Sequence, residues 1–415
     1  MNYADSIEKS LTPDLWRLIA LLGEVGASQG QRLYLVGGRV RDLLLGIEGG
    51  DLDLVVEGDA MALARSLAGD HGGEVVSHPR FGTAKYRSGD LTIDLATARS
   101  EVYSRPGALP QVRPGSIDRD LSRRDFTINS MAVCLSPPDM GSLLDPFDGR
   151  ADLEARLIRV LHPKSFIDDA TRIMRAIRYE QRLGFRIEDA TAGYLLRDLS
   201  YLDTVGVDRL RHELQLFLQE GRPEGALLRA DELGVLKAMH PSLKADGWTG
   251  EMFRKARSAA QAATPEVYLA LLLYRMSPED ALDLVKGYRY ASDQVRVLSD
   301  LIKLKTLEKG LGAPGLKPRE LYAMLHNLAP EALTAFSLAC KGQTTRDMIV
   351  QYLDELRHVK TSLDGHELTL LGVPQGPGMG RMLKALLDAR LDGEVANRET
   401  EVALVKRWLA EGGPE

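Results

Sequence analysis

Short runs in which apolar and polar residues alternate dominate the first third of the chain. Residues 33–36, 52–56, 85–87 and 91–96 repeat with a period of two or are continuously apolar, which is typical of β-strands. Residues 59–70 instead repeat with the helical period of 3.6. Because strands and helices interleave in this region, the pattern predicts an α/β domain.

Helical periodicity rich in Leu, Ala, Arg and Glu begins near residue 151, after a Ser-Pro-Pro break at 136–138, and continues to the end of the chain. A chain of 415 residues exceeds the size at which a single core keeps growing. We therefore predict several domains: an α/β head over residues 1–135, a neck over 136–215, and a helical body and tail over 216–415.

The composition is that of a globular protein, with 44% hydrophobic and 27% charged residues, no apolar run of transmembrane length and no N-terminal signal pattern. Cys134 and Cys340 are the only cysteines, and neither lies in a metal-ligand spacing. These features predict a cytoplasmic protein without disulfides, membrane contact or an implied protein partner. The net charge of -6 does not favour a nucleic-acid partner, although a local basic groove would suffice for one.

Two alternating aspartates at the second predicted strand are the clearest sign of a functional site in the sequence. Asp51 and Asp53 are two residues apart, so their side chains project from one face of the strand. Carboxylates aimed at one point repel unless a cation lies between them, and Mg²⁺ is commonly held by one or two carboxylates plus substrate phosphates. Upstream, Gly37 and Gly38 allow N–H groups at a helix start to approach a phosphate, and Arg41 lies one turn further on. The unit predicts a metal–nucleotide site, whereas such an Asp pair alone is more often solvated.

Two further features of the head are less specific. Asp94, on the predicted strand 91–96, adds a third acid if the strands share a sheet. The sequence leaves three roles open for Asp94: a third metal ligand, a residue that supports the metal ligands, or a solvated side chain at the end of a strand. Residues 100–120 contain Pro and Gly without periodicity, which favours a lid or binding loop over a disordered excursion.

The segment from Asp120 to Ser130 combines charged and amide side chains. Arg123, Arg124 and Asp125 are consecutive, and Asn129 follows four residues after the aspartate. Guanidinium groups suit phosphates, and carboxylate and amide groups suit ribose hydroxyls, so the segment is compatible with a nucleoside triphosphate. By itself, Arg-Arg-Asp is more often a solvated turn.

A predicted helix after residue 168 carries a row of arginines. Arg172, Arg175, Arg178 and Arg182 are spaced three, three and four residues apart and therefore share one face. The apolar residues beside them are predicted to be buried: Ile173, Met174, Ala176, Ile177 and Leu183. A narrow row of cations close to the core favours an anion channel over a solvated helix face.

Asp169 and Arg172 together have the chemistry of a base reader. Cytosine and adenine each present an amine donor beside a ring-nitrogen acceptor, which a carboxylate and a guanidinium complement. Uracil and guanine present the reverse pattern and would leave both protein groups unpaired, which is costly in a buried site.

Five motifs in this order resemble class II tRNA nucleotidyltransferases, a family that includes bacterial poly(A) polymerases: Leu35-Val-Gly-Gly-Arg-Val-Arg-Asp-Leu-Leu-Leu-Gly46, Asp51-x-Asp53, Arg123-Arg-Asp-Phe-Thr-Ile-Asn129, Leu144-Asp-Pro-Phe-Asp-Gly149 and Asp168-Asp-x-x-Arg172. The resemblance is close over residues 33–186. Further along, Arg209 to Leu214 resembles the family's Arg-x-x-x-Glu-Leu helix, and residues 365–374 resemble the tail of longer bacterial members, which grips the tRNA.

The resemblance implies a polymerase-β-type α/β head followed by an elongated all-α neck, body and tail. It implies that Asp51 and Asp53 are catalytic Mg²⁺ ligands, and that Asp169 and Arg172 contact the base. It also implies that Asp125 and Asn129 lie around the ribose. Five further residues are implied to contact the nucleotide: Gly38, Arg41, Arg124, Arg175 and Arg178.

We therefore predict a Mg²⁺-dependent, template-independent nucleotidyltransferase that adds CCA, or part of it, to the 3′ end of tRNA from CTP and ATP. An enzyme that adds only A and a bacterial poly(A) polymerase are the alternatives. Members restricted to CC addition lack most of the loop at 100–120, so its presence argues against that activity. Asp168 replaces the family's usual Glu, and the strand after Asp53 lacks a Thr common in the family, as in members that add only part of CCA.

Two other classes fit less well. An RNA-binding protein with an inactive head would have lost Asp51, Asp53 or Arg124, and all three are present. A nucleotidyltransferase acting on small molecules would need neither the helical half nor the predicted base reader. No histidine-aspartate hydrolase motif is present in the C-terminal half, so phosphatase activity is not expected.

Overall fold

A computed structural model describes residues 2–49, 52–79, 82–102, 105, 107, 111–259, 263–313 and 315–412. The chain forms two compact units, one comprising Met1–Glu220 and Gly225–Met239, the other Gly221–Glu224 and His240–Glu415. The first unit begins with the α/β head, and helices make up most of the chain that follows, as the sequence predicts.

The head is built on a seven-stranded mixed sheet with the strand order β3-β4-β5-β2-β1-β8-β9. Its strands are β1 (Arg32–Val36), β2 (Asp53–Glu57), β3 (Glu74–His78), β4 (Thr83–Ser88), β5 (Leu91–Thr97), β8 (Ala132–Cys134) and β9 (Leu143–Leu144). The helices of the head are α1 (Ala4–Lys9), α2 (Pro13–Ser28), α3 (Gly38–Leu44), α4 (Ala60–His71) and α5 (Ile117–Ser122). The four predicted strands and the predicted helix are therefore present, with their ends shifted by one or two residues.

The register of the central strands determines which side chains share a face. β2 runs parallel to β5 with Asp53 opposite Asp94, while β1 runs antiparallel to β2. Cα partners in a sheet project their side chains to the same side. On the side that carries Asp53, Val55 packs with Ile117 and Leu121 of α5, so α5 covers the face on which the acids lie.

The segment predicted as an unstructured loop at 100–120 contains regular structure. β6 (Arg99–Val102) and β7 (Gln111–Pro114) form an antiparallel pair, and α5 follows directly. The expected lack of regular structure was wrong because β7 is exposed along its whole length, so no apolar side alternates with a polar one. The role of a lid or binding loop stays a prediction. Residues 103, 104, 106 and 108–110 of the predicted loop lie outside the described residues.

The neck is mainly helical. Its helices are α6 (Gly149–Glu154), α7 (Ser165–Asp168), α8 (Thr171–Leu183), α9 (Asp189–Asp198) and α10 (Val207–Leu218), followed by α11 (Pro223–Glu232) and α12 (Val235–Met239). Short 3-10 turns occur at Thr127–Asn129, Leu199–Thr204 and Leu356–His358. The all-α prediction for the neck, residues 136–215, needs two corrections. β9 (Leu143–Leu144) lies within these residues and belongs to the sheet of the head, and β10 (Leu157–Ile158) and β11 (Arg186–Ile187) pair in parallel. Strands of two residues are too short to produce a periodic pattern.

The arginine-bearing helix α8 has the apolar side that its sequence predicts. Ile173, Met174, Ala176 and Ile177 are completely buried. Leu183 is partly exposed, contrary to the prediction. It is the last residue of α8, where Gly184 ends the helix with a left-handed φ of 65°.

The second unit is helical throughout its described part. Its helices are α13 (Gly247–Ser258), α14 (Pro265–Leu273), α15 (Pro278–Gly287), α16 (Ser292–Leu311), α17 (Pro318–Leu325), α18 (Pro330–Ala339), α19 (Gln343–Asp354), α20 (Gly365–Leu370), α21 (Pro377–Leu391) and α22 (Arg398–Glu411). Leu368, Met382, Leu386 and Val405 belong to a buried cluster that joins the last three helices. Among the described residues, no helix combines the length and apolarity needed to span a membrane.

Candidate active site

The two acids at the start of β2 and on β5 lie at a cavity of about 390 Å³ in the head. Asp53 and Asp94 are neighbours across the parallel ladder, and Arg99, Arg123 and Arg124 line the same cavity. Carboxylates are common ligands of metal ions and guanidinium groups are common ligands of phosphate oxygens, and both kinds of group line this cavity. Asp51, the other acid of the predicted pair, lies outside the described residues.

The acids suit a hard divalent cation. Mg²⁺ usually takes one or two carboxylates and completes its shell with water and substrate phosphates. Asp53 and Asp94 supply two such carboxylates, and Asp94 also forms an exposed ion pair with Lys85 over 3.3 Å. Within the described part of the chain, no group of three or more His, Cys, Asp or Glu residues is placed to hold a metal. The donor set therefore fits a metal ion that is shared with a bound nucleotide.

Two arginine side chains lie close to the glycine turn at the start of α3. Gly37 has a φ of 70°, and its N–H donates to the carbonyl oxygen of Met131 over 3.2 Å. A Cβ on Gly37 would lie 2.5 Å from Nη1 of Arg124, and one on Gly38 would lie 3.4 Å from Nη2 of Arg41. The Gly37 N–H is thus paired within the protein, and the phosphate contact expected of the N–H groups in this turn stays a prediction. The glycines allow two guanidinium groups to lie against the backbone.

A continuous chain of polar contacts runs from the glycine turn to α8. Buried Arg41 donates through Nη1 to Asn129 Oδ1 over 2.8 Å, and Asn129 Nδ2 donates to Asp125 Oδ1 over 3.0 Å. The other carboxylate oxygen of Asp125 accepts a hydrogen bond from Nε of Arg175 over 2.8 Å and forms an ion pair with Nη2 over 2.6 Å. These four residues, predicted separately as nucleotide contacts, are thus brought together.

Burial alone would raise the pKa of Asp125, but the adjacent Arg175 guanidinium and the hydrogen bond from Asn129 outweigh it and lower the pKa to about 2. The carboxylate is therefore charged at neutral pH although it is buried. The pKa of Arg175 is raised, chiefly by the same carboxylate. Asp125 and Arg175 therefore form an ion pair at neutral pH that links α8 to the head.

Stability in acid should reflect this ion pair. Because the pKa of Asp125 is lowered from 3.8 to about 2, its contribution is complete above about pH 4 and is lost as the pH falls towards about 2. The shift corresponds to about 2 kcal/mol. Urea unfolding between about pH 5 and about pH 2 should therefore show that the wild type loses about 2 kcal/mol more than Asp125→Asn. Equal losses in the two proteins would contradict this assignment.

A second set of contacts joins α5 to the β6–β7 hairpin. Asp120 is completely buried and pairs with Arg123 and Arg124, over 2.6 Å and 2.9 Å. Arg123 also contacts Glu101 of β6 over 3.0 Å. Burial raises the pKa of Asp120, yet Arg124 and Arg123 lower it more. The sequence pattern assigns no role to Asp120 or Glu101, because only the fold brings these acids to the arginines.

The arginine row of α8 lies on one helix face and is largely paired with acids of the same unit. Arg178 is buried between Glu213 and Glu220, at 3.6 Å and 3.7 Å, and Arg182 contacts Glu220 over 2.5 Å. Nε of Arg178 is buried without a hydrogen-bond partner among the described residues. Burial raises the pKa of Glu213, although Arg175 and Arg178 oppose it. An anion that reached this row would compete with carboxylates already there.

Tyr179 lies at the centre of the cationic groups. The guanidinium carbons of Arg41, Arg175 and Arg178 lie 5.1, 5.6 and 5.2 Å from the centroid of its ring. Each distance falls within the range of a cation–π contact. The sequence gives one signal that could have identified Tyr179, namely its position within the arginine row.

Each member of the predicted base-reading pair is bonded to other partners. Asp169 precedes α8 and accepts hydrogen bonds from the N–H and hydroxyl of Thr171, over 3.1 Å and 2.7 Å. Its second oxygen pairs with Arg209 of α10 over 2.6 Å. Arg172 is buried and contacts Asp169 only through the backbone. The two groups are therefore neighbours whose side chains are not bonded to each other, and Arg209 is a partner that spacing did not reveal.

The head and site together define a nucleotidyltransferase, and the comparisons with known proteins agree. Residues 33–159 match the poly A polymerase head domain, and residues 184–246 match the probable RNA and SrmB-binding site of polymerase A. The chain belongs to the tRNA nucleotidyltransferase family. Nucleotidyltransferases of this kind generally use a divalent metal ion.

Three relatives illustrate the similarity. The A-adding tRNA nucleotidyltransferase of Geobacter sulfurreducens is 36% identical over 93% of this chain. The match covers 46% of that relative, so this chain spans about half of the relative's length. The A-adding tRNA nucleotidyltransferase of Halalkalibacterium halodurans is 32% identical over 98% of this chain and 96% of its own. The CCA-adding enzyme of Thermotoga maritima, solved in complex with tRNA, is 30% identical with a TM-score of 0.77 and covers 99% of this chain and 98% of its own.

Proposed function

We propose that this protein is a Mg²⁺-dependent tRNA nucleotidyltransferase that adds nucleotides of the CCA end from CTP and ATP. The observation that carries the proposal is the register that places Asp53 beside Asp94 at a cavity lined by Arg99, Arg123 and Arg124. The names of the relatives, which include A-adding and CCA-adding enzymes, support tRNA as the acceptor.

In the proposed reaction, the 3′-hydroxyl oxygen of tRNA attacks the α-phosphate of the nucleotide. A new phosphodiester bond forms, the bond to the β-phosphate breaks, and pyrophosphate leaves. Asp53, together with Asp51 or Asp94, would hold Mg²⁺, which neutralises the developing charge on the attacking and leaving oxygens when bound. Arg124 and Arg123 line the same cavity and would bind phosphate oxygens.

Protein side chains, and not a nucleic-acid template, would select the base. Asp169 would accept from the amine of cytosine or adenine, and Arg172 would donate to the adjacent ring nitrogen. Asp125 and Asn129 would lie near the ribose, while Arg41, Arg175 and Arg178 would stabilise the charged nucleotide. We further propose that the residues from 216 onward bind the tRNA.

A second candidate function is the addition of only the final A. Two observations favour it: the Geobacter and Halalkalibacterium relatives are named A-adding enzymes, and β2 reads Asp53-Leu-Val-Val-Glu57 without the Thr that many family members place there. Both candidates use the same chemistry, since ATP fits the same pattern of hydrogen-bond donors and acceptors as CTP.

Incubation with tRNA transcripts that end at the discriminator base, at C or at CC, each with one triphosphate, separates the candidates. A CCA-adding enzyme should extend the first two transcripts with CTP and the third with ATP. An A-adding enzyme should extend only the transcript that ends in CC, and only by one A. Long A tails on any RNA would indicate a poly(A) polymerase, and no extension at all would contradict the proposal.

A further inference from the structure

Ser165 contacts both members of the predicted base-reading pair. It is the first residue of α7 and is completely buried. Its hydroxyl oxygen accepts a hydrogen bond from Nη1 of Arg172 over 2.7 Å. Its carbonyl oxygen accepts the backbone N–H of Asp169 over 3.2 Å. One buried residue therefore joins the two groups that are proposed to choose the nucleotide.

The orientation of the Arg172 guanidinium depends on uncharged oxygen atoms. Nη2 donates to the carbonyl oxygen of Arg123 over 2.7 Å, and Nη1 donates to Ser165. No carboxylate of the described residues pairs with this side chain, although Arg172 is 5% exposed. Each Nη atom carries two N–H groups, so one on each remains for a ligand after these contacts. The hydroxyl and the carbonyl together determine where those remaining donors point.

We propose that Ser165 is a positioning residue that determines base selectivity through Arg172. The inference rests on the proposed function, because it assigns a role to a group beside the proposed reader. A hydrogen bond weakens steeply when its angle is poor, so a guanidinium that turns away distinguishes a ring-nitrogen acceptor from a ring N–H less well. Loss of the Ser165 hydroxyl should therefore affect the choice among nucleotides more than the reaction itself.

Ser165→Ala removes the acceptor, Ser165→Thr restores a hydroxyl, and Ser136→Ala is the matched control. Ser136 is also completely buried, and its hydroxyl accepts the N–H of Leu33 over 2.9 Å, away from Arg172. The measurement is kcat/KM for CTP and ATP relative to UTP and GTP on a tRNA acceptor, with thermal unfolding recorded for each protein.

In Ser165→Ala, selectivity should fall about tenfold, the change expected when a buried hydrogen bond to a charged group is lost. Ser165→Thr should recover most of the selectivity. Ser136→Ala should keep the wild-type selectivity even if it unfolds at a lower temperature. A wild-type selectivity in folded Ser165→Ala would overturn the proposal, as would an equal loss in Ser136→Ala. If Ser165→Ala does not fold, Ser165→Cys replaces it, because a thiol keeps the volume and is a weak acceptor.

Equilibrium binding of the four triphosphates without tRNA separates this inference from the proposed function. If the wild type extends no tRNA, the proposed function fails, yet a binding preference for CTP or ATP over UTP and GTP still tests Ser165. A preference that falls in Ser165→Ala supports the positioning role. A preference unchanged in that variant, or a wild type that binds all four equally, overturns it.

Discussion

Replacement of Asp53 by asparagine will reduce nucleotide incorporation at least about a thousandfold, because the substitution keeps the shape of the side chain and removes the charge that we propose holds a metal ion. Asp53 is exposed at the start of β2, so the fold should tolerate the change. Single-turnover incorporation of labelled ATP or CTP into tRNA measures the effect.

Glu74→Gln is the control for Asp53→Asn. Glu74 is an exposed acid on β3, the edge strand of the same sheet. Its replacement removes an equal charge, and β4 and β5 separate it from the Asp53 strand β2. Its activity should equal that of the wild type. If Asp53→Asn keeps more than about a tenth of the activity, the metal is held elsewhere and the assignment of the cavity fails.

Asp169→Ala should change which nucleotides are used. A base contact of this kind contributes about 1–3 kcal/mol of discrimination. The use of UTP or GTP relative to CTP and ATP should therefore rise about tenfold or more, while the groups at the Asp53 cavity remain in place. Competition between triphosphates in one reaction, followed by sequencing of the tRNA ends, gives the ratio directly.

Two variants define the result for Asp169. Asp189→Ala removes an exposed acid on α9 that pairs with Arg186 over 3.5 Å, and it should leave selectivity unchanged. Arg209→Met removes the 2.6 Å partner of Asp169 and keeps the carboxylate, so a smaller change is expected. If Asp169→Ala slows all four nucleotides by the same factor, Asp169 does not read the base and the arginines of α8 serve only phosphates.

The sequence predicts those parts of the site in which neighbours along the chain become neighbours in space. The arginine row of α8 follows from its spacing, and Asp53 beside Asp94 follows once their strands share a sheet. The partners of these groups do not follow. Arg209 lies 40 residues from Asp169, and Glu101 lies 22 residues from Arg123. Nothing in a local pattern selects one distant acid or arginine over the many others in a chain with 27% charged residues.

The same limit explains the errors in the fold prediction. Periodicity detects a strand only when one side is apolar and the other polar over several residues. β8 is buried at all three of its positions, β7 is exposed at all four, and β10 and β11 have two residues each. Short, uniformly buried or uniformly exposed strands are therefore recognised only after the sheet is assembled.

The chain of contacts from Arg41 through Asn129 and Asp125 to Arg175 restricts where this protein can be joined to parts of a related protein in a hybrid. Its members come from three separate segments and are joined in sequence by hydrogen bonds. A hybrid that joins a head from one relative to a neck from another must carry compatible residues on both sides of the junction. Because Arg178 also pairs with Glu213 and Glu220 beyond α8, the natural point for exchanging modules lies after Glu220, and not at the end of the sheet.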